Sequence, residues 1–250
     1  MKIGILGAML EEVSSIEKLM EITNKKEIGS RTYIEGSISG IDVVLTFSRW
    51  GKVASASTTT TLINLFNVDF VLFTGVAGAV HSDLNIGDIV ISNGLYQHDM
   101  DARPLFNRFQ IPLTDITVFE PTHENISKAT SASEQFLSQV NATISSEVLK
   151  KYSIFSPKIH QGLIASGDKF IADSSKHDEL NHKHKDSETL AVEMEGASVA
   201  QVCTDYEIPY VIIRTISDKA DHSAVIDFQS FIGDIASKYS SEIISNLLKM

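Results

Sequence analysis

Four short segments of this chain set small residues beside carboxylates: Gly7-Ala8-Met9-Leu10-Glu11-Glu12, Ala165-Ser166-Gly167-Asp168-Lys169-Phe170-Ile171, Val192-Glu193-Met194-Glu195-Gly196-Ala197 and Arg214-Thr215-Ile216-Ser217-Asp218. A fifth, Thr74-Gly75-Val76-Ala77-Gly78, supplies small residues alone. Small residues let a ligand approach the backbone closely, and carboxylates can give and take protons. Phosphate-binding basic residues do not accompany them, so the pattern suits a small neutral or cationic ligand. Each acid also has a plain structural reading. Glu12 and Glu195 suit the first turn of a helix, where the dipole favours negative charge. Asp218 suits an N-cap or a loop. Phe170 suits a core, and Arg214, at the end of an apolar strand, needs a buried partner.

The elements that must position these segments follow from periodicity. Strands are expected at Lys2–Leu6, Arg31–Ser37, Asp42–Phe47, Asp69–Thr74, Asp88–Ser92, Ile159–Ala165, Leu190–Glu193 and Tyr210–Ile216. Continuous runs such as Phe70-Val71-Leu72-Phe73 and Val211-Ile212-Ile213 mark strands buried on both faces. Helices are expected at Glu11–Glu21, Val53–Phe66, His123–Gln139, Glu195–Tyr206 and Phe228–Leu248. In the last of these, apolar residues recur every three or four positions, so one face should pack on a sheet. His177–Ser187 is the most polar stretch and reads as an exposed helix end and loop. The expectation is one α/β domain over residues 1–250, with a mixed central sheet and helices on both faces. The acid-bearing segments fall at strand ends, where ligands sit in such sheets.

Composition narrows the function. A net charge of −11 disfavours nucleic acid and anionic membrane, both of which need a basic face. The apolar run near Met1 is cut off by Gly7 and the glutamates, too short for a signal peptide or a span, so a cytoplasmic protein is expected. Cys203 is a lone cysteine, which leaves neither an intrachain disulfide nor a cysteine-built metal site. His177, His182 and His184 lack a fixed carboxylate frame and read as a solvated loop, so no metal and no cofactor is expected. Gly4-Ile5-Leu6-Gly7 is not a dinucleotide fingerprint, and the chain has no G-x-S-x-G elbow.

Taken together, Gly7-Ala8-Met9-x-Glu11-Glu12, Ala165-Ser166-Gly167-Asp168-x-Phe170, Val192-Glu193-Met194-Glu195 and Ile216-Ser217-Asp218 resemble the 5'-methylthioadenosine/S-adenosylhomocysteine nucleosidases of the nucleoside phosphorylase superfamily. The resemblance runs from Ile3 to Phe228. It implies a nucleoside phosphorylase-like fold and hydrolysis of the bond between adenine and the sugar of a 5'-modified adenosine. Methylthioadenosine and adenosylhomocysteine would be the substrates, in methionine salvage and clearance of a methyl-cycle by-product. By the same resemblance Glu12 matches the carboxylate that deprotonates the attacking water, and Asp218, placed with Ser217, the acid that protonates adenine N7. Glu195 matches the acid on the ribose hydroxyls, with Met194 against the sugar and Glu193 beside it in the substrate site. Phe170 would stack on the base, the backbone around Ile171 would read its amino edge, and Ala77 and Gly78 would line the sugar side. Arg214 matches an arginine near the water. The loop after His98-Asp99-x-Asp101 resembles one at a homodimer interface, where either Leu105 or Phe106 would close the partner's 5' pocket.

Two positions depart from the family pattern. Val76 stands where many members have serine before the Ala-Gly pair. In Arg49-Trp50-Gly51, tryptophan stands where relatives carry an aliphatic residue facing the 5' pocket. Trp50 therefore either narrows that pocket, offers it a stacking surface, or turns away to pack elsewhere. Three other functions compete. A phosphorylase would need cations where Glu11 and Glu12 stand. A nucleoside-binding storage or sensor protein would not need intact acids at 12, 195 and 218. An aminodeoxyfutalosine hydrolase, or an enzyme acting on 5'-deoxyadenosine, would use much the same site.

Overall fold

Along the core of each apolar run every residue is buried, and successive side chains face opposite ways. On Ile3–Leu6, Val43–Leu45, Val71–Phe73 and Val211–Ile213, neighbouring side chains belong to different hydrophobic clusters. Ile3, Ile5, Val43, Leu45, Leu72, Val211 and Ile213 face one way; Leu6, Val44, Val71, Phe73 and Ile212 face the other. A period of two with both sets apolar requires a sheet covered on both faces.

The computed structural model describes residues 1–173, 177–180, 182–220 and 228–250. In chain order the elements are β1 (Lys2–Gly7), α1 (Leu10–Glu17), β2 (Glu21–Ile28), β3 (Arg31–Ile38), β4 (Ile41–Phe47), α2 (Lys52–Phe66), β5 (Phe70–Ala79) and β6 (Ile89–Gln97). Next come α3 (His123–Leu137), α4 (Val140–Thr143), α5 (Ser146–Lys151), β7 (Ile159–Ser166), α6 (His177–Leu180), β8 (Lys183–His184) and β9 (Ser187–Glu193). The chain ends with α7 (Gly196–Asp205), β10 (Tyr210–Asp218), α8 (Phe228–Phe231), a π-helical turn (Ile232–Ala236) and α9 (Ser237–Leu247).

The ten strands form one mixed sheet in the order β2-β3-β4-β1-β5-β10-β6-β7-β9-β8. Helices α1, α3 and α9 pack together over one face, and α2 with α7 over the other. The sheet is not simply open. The end of β5 pairs with β9, Gly78 opposite Val192 and Ala79 opposite Ala191, so β5, β10, β6, β7 and β9 close into a ring. Strands that run oppositely elsewhere thus bring their carboxyl ends together.

Three features differ from the periodicity reading. Strand β2 was not expected: Glu-Ile-Thr-Asn-Lys-Lys-Glu-Ile is almost wholly exposed at the sheet edge, and a charged edge carries no apolar run to reveal it. Strand β5 continues past Thr74 through small residues and β6 past Ser92 through Asn93 and Gly94, because the ring pairs them there. The C-terminal helix is interrupted. Buried Phe231, Ile235, Tyr239 and Ile243 step by four, more than the 3.6 residues of an α turn, and the wider π turn takes up the excess. Within the polar stretch at 177–187, Asn181 lies outside the described residues, as do the side chains of His177 and Asp178. Lys183–His184 there forms a short strand against β9. Among the described residues no helix is long and apolar enough to cross a membrane.

Because Leu72 on β5 is fully buried within one of the two core clusters, Leu72→Ala should cost about 2–5 kcal/mol of folding free energy. Urea unfolding measures it; a loss below about 1 kcal/mol would mean that the strand is less tightly packed than described here.

Candidate active site

The carboxyl ends of β1, β5, β9 and β10 converge on one cavity, open to solvent on one side. Its walls include Glu12, Trp50, Ala77, Gly78, Phe170, Ile171, Glu193, Met194, Glu195, Ser217 and Asp218. The structure thus brings together every residue that the sequence placed in the site except Arg214. Ala8, Met9, Val76, Lys169 and Val192 also line it; each stands within one of the segments singled out in the sequence, without a role assigned to it there.

Glu12 lies in the first turn of α1, yet its side chain folds back. Oε2 accepts hydrogen bonds from the backbone N–H of Ala8 at 2.6 Å and of Met9 at 3.0 Å. Oε1 accepts from Val76 N–H at 3.1 Å. The capping role and the site role are therefore compatible. Gly75 makes this possible: a Cβ there, at φ +157°, would stand 2.6 Å from Glu12 Oε1. Burial pushes the Glu12 carboxyl above its ordinary value, opposed by the Arg214 charge and by the three N–H donors. Val76 supplies its contact through the backbone, so the absent serine hydroxyl does not remove it.

Arg214 sits behind the walls, 1% exposed. Its Nη2 donates to Glu193 Oε2 at 2.6 Å, and its guanidinium lies 3.9 Å from the centre of the Phe73 ring. Glu193 is heavily satisfied: it also accepts from the Ser166 hydroxyl, from Glu195 N–H at 3.2 Å and from Gly196 N–H at 2.8 Å. The pair is a fixed buried dipole rather than a free acid. Glu195, in contrast, receives Gly51 N–H at 2.8 Å. Burial, followed by the nearby Glu193 charge, raises its pKa to about 8.

Asp218 ends β10 just after a register shift against β5 between Ile216 and Asp218, an irregularity of the kind that re-aims a side chain. Its Oδ2 accepts the Ser217 hydroxyl at 2.7 Å and its Oδ1 accepts Ala220 N–H at 2.7 Å. Phe170 and Trp50 are 47% and 54% exposed, so both stand at the mouth. Trp50 is among the residues that line the cavity. Among the described residues no cluster of three or more His, Cys, Asp or Glu side chains is arranged to hold a metal ion.

Comparison with known proteins places the chain in a family. Residues 2–249 match the model of the Phosphorylase superfamily. The chain is 36% identical over 248 residues to the 5'-methylthioadenosine/S-adenosylhomocysteine nucleosidase of Staphylococcus carnosus (strain TM300), covering 99% of each chain. It is 36% identical over 250 residues to that of Haemophilus influenzae (strain PittEE), again covering 99% of each. The nucleosidase of Neisseria meningitidis in complex with methylthio-immucillin-A matches with a TM-score of 0.85 at 32% identity, over 99% of this chain and 98% of that one. A structure described as futalosine hydrolase of Helicobacter pylori strain 26695 matches with a TM-score of 0.81 at 32% identity, over 100% of this chain and 98% of the other. Sequence, fold and the grouping of acids around one cavity agree that the chain belongs to the 5'-methylthioadenosine/S-adenosylhomocysteine nucleosidase family of the Phosphorylase superfamily.

Proposed function

We propose that this chain, as one domain, hydrolyses the N-glycosidic bond of 5'-methylthioadenosine and S-adenosylhomocysteine and releases adenine. The observation that carries the reading is the meeting of Glu12, Glu195 and Asp218, all nearly buried, on one cavity. Adenine leaves poorly as an anion, so Asp218 protonates N7 as the bond breaks, with Ser217 holding the acid. The sugar becomes cation-like, and carboxylates around it stabilise charge that exists only in the transition state. Glu12 takes the proton from water; a carboxyl raised by burial is a better base near neutral pH than an ordinary one. Arg214 acts from behind the wall, its charge opposing full protonation of Glu12 and Glu195. Glu195 binds the ribose hydroxyls, Met194 packs on the sugar beside Glu193, Ala77 and Gly78 leave it room, Phe170 stacks on the base and the Ile171 backbone reads its amino edge.

A cytoplasmic homodimer acting in methionine salvage fits this reading. Leu105, 83% exposed, and the partly buried Phe106 stand on the loop after His98, and one or the other would close a partner's 5' pocket. Likeness to the Helicobacter pylori futalosine hydrolase structure supports futalosine-type nucleosides as a further substrate class, with aminodeoxyfutalosine and 5'-deoxyadenosine to be assayed. A phosphorylase is disfavoured because an anion would meet Glu12 at short range in a poorly screened site.

Adenine release should be insensitive to inorganic phosphate and yield the free sugar. Glu12→Gln should lower kcat at least about a hundredfold while an inhibitor still binds, the usual worth of a general base. A sugar 1-phosphate product, or a variant keeping a tenth of wild-type kcat, would overturn the assignment.

The raised pKa of Glu195 also gives a stability test. Between about pH 4.5 and 8 the unfolded chain releases the Glu195 proton that the folded chain keeps, so this group makes stability fall as pH rises. Glu195→Gln should therefore lose part of that decline, and its Tm relative to wild type should be higher at pH 8 than at pH 5. Parallel Tm curves would show that Glu195 is ionised throughout.

At the mouth, narrowing by Trp50 should penalise the long homocysteine tail, because packed pockets tolerate added bulk poorly. Trp50→Ile should raise the ratio of kcat/KM for adenosylhomocysteine over methylthioadenosine several-fold. If both substrates shift together, the indole is not a specificity element.

A further inference from the structure

Beside the cavity, three residues absent from its walls form a closed hydrogen-bonded ring. Lys52 N–H donates to Asp168 Oδ1 at 2.8 Å, and Asp168 N–H donates to Asp99 Oδ2 at 2.9 Å. The Lys52 ammonium then closes the circuit on Asp99 Oδ1 at 2.6 Å. It also donates to Gln97 Oε1 at 3.0 Å, and Gln97 Nε2 donates on to Gln201 Oε1 at 2.7 Å. Three distant stretches of chain are tied at one point: the start of α2, the loop after β6 and the loop after β7. The approach is close enough that Gly51, at φ +94°, would place a Cβ 3.0 Å from Asp168 Oδ1. On the far side of that loop, the His98 ring fills the space that a Cβ on Gly167 would need.

What the ring joins gives it meaning. One residue before Lys52, Gly51 N–H holds Glu195, and one residue earlier Trp50 forms a wall. Two residues after Asp168, Phe170 forms another wall. Both walls are loops, each with an aromatic residue about half exposed, and loops keep a set spacing only when something fixes them. Asp99 is partly buried, which would raise its pKa, yet bonds from Lys52 and the Asp168 amide hold it below the ordinary carboxylate range. The ring is therefore charged and intact at neutral pH.

We propose that Lys52, Asp99 and Asp168 are positioning residues that set the spacing between the Trp50–Gly51 wall and the Phe170 wall, and with it the grip on a 5'-modified adenosine. The proposal rests on the nucleosidase reading, and none of the three touches the reacting atoms. The ring should matter chiefly to substrate binding. The chemical groups stay in place through their own contacts: Glu12 on the Ala8, Met9 and Val76 amides, and Asp218 on Ser217 and Ala220.

The test uses Lys52→Met, which keeps the stem and loses the charge, and Asp99→Asn, which keeps shape and an acceptor. With methylthioadenosine, KM should rise about tenfold or more in each while kcat changes by less than about threefold, the pattern of lost substrate binding. The double variant should be no worse than the poorer single one, as expected for members of one network. Trp50 is the sole tryptophan, so its fluorescence reports the wall without any substrate. Acrylamide should quench it more strongly in both variants than in the wild type, with Tm essentially unchanged. KM within twofold of wild type, or quenching unaltered in Asp99→Asn, would overturn the clamp. Failure of the wild type to release adenine from any adenosine derivative would instead overturn the nucleosidase reading, and the quenching comparison would still judge the ring.

Discussion

Two facing pairs, Gly78 with Val192 and Ala79 with Ala191, turn part of the sheet into a ring, and the site depends on that closure. Without it β9 would deliver Glu193 and Glu195 away from the ends of β5 and β10, because β6 runs antiparallel to β10 and its neighbours β7 and β9 follow β6. Closure lets strands of opposite direction contribute to one cavity. It also explains the run of small residues at the end of β5. Gly78 passes so near β10 that a Cβ there would stand 2.9 Å from the Ala220 Cβ and 3.0 Å from Asp218 Oδ1.

Bringing four acids together in a nearly dry space is unfavourable unless each is compensated. The structure meets that demand in different ways. Glu193 is neutralised by Arg214 and saturated with donors. Glu12 is held by backbone amides from two strand ends. Glu195 has one amide and a raised pKa, so protonation is its route to neutrality. Such unequal treatment of chemically similar groups is what a division between acid, base and binding roles needs.

Much of this was legible in the sequence, for identifiable reasons. Strands buried on both faces announce themselves as unbroken apolar runs, and β1, β4 and β10 came out nearly to the residue. The acid-bearing segments were visible because small residues and carboxylates at strand ends are uncommon in a core. Edge strand β2 was hidden by its charges, and closure of the ring was hidden because pairing between β5 and β9 leaves no local mark. The Lys52 ring was hidden for a similar reason: a lysine after a glycine at a helix start is ordinarily solvated, and only the fold sets Asp99 and Asp168 beside it.

The contrast between the ring of strands and the mouth bears on how such a protein diversifies. Glu12, Glu193 and Arg214 are locked into the backbone of several strands, so altering any of them disturbs the whole. Trp50, 54% exposed, lies on a loop at the rim, where substitutions away from buried features usually change stability by no more than about 0.5 kcal/mol. Selection can therefore alter the shape of the entrance without touching the reaction or the fold. If Trp50 shapes the entrance as proposed, position 50 can change the nucleoside taken while the acids stay in place.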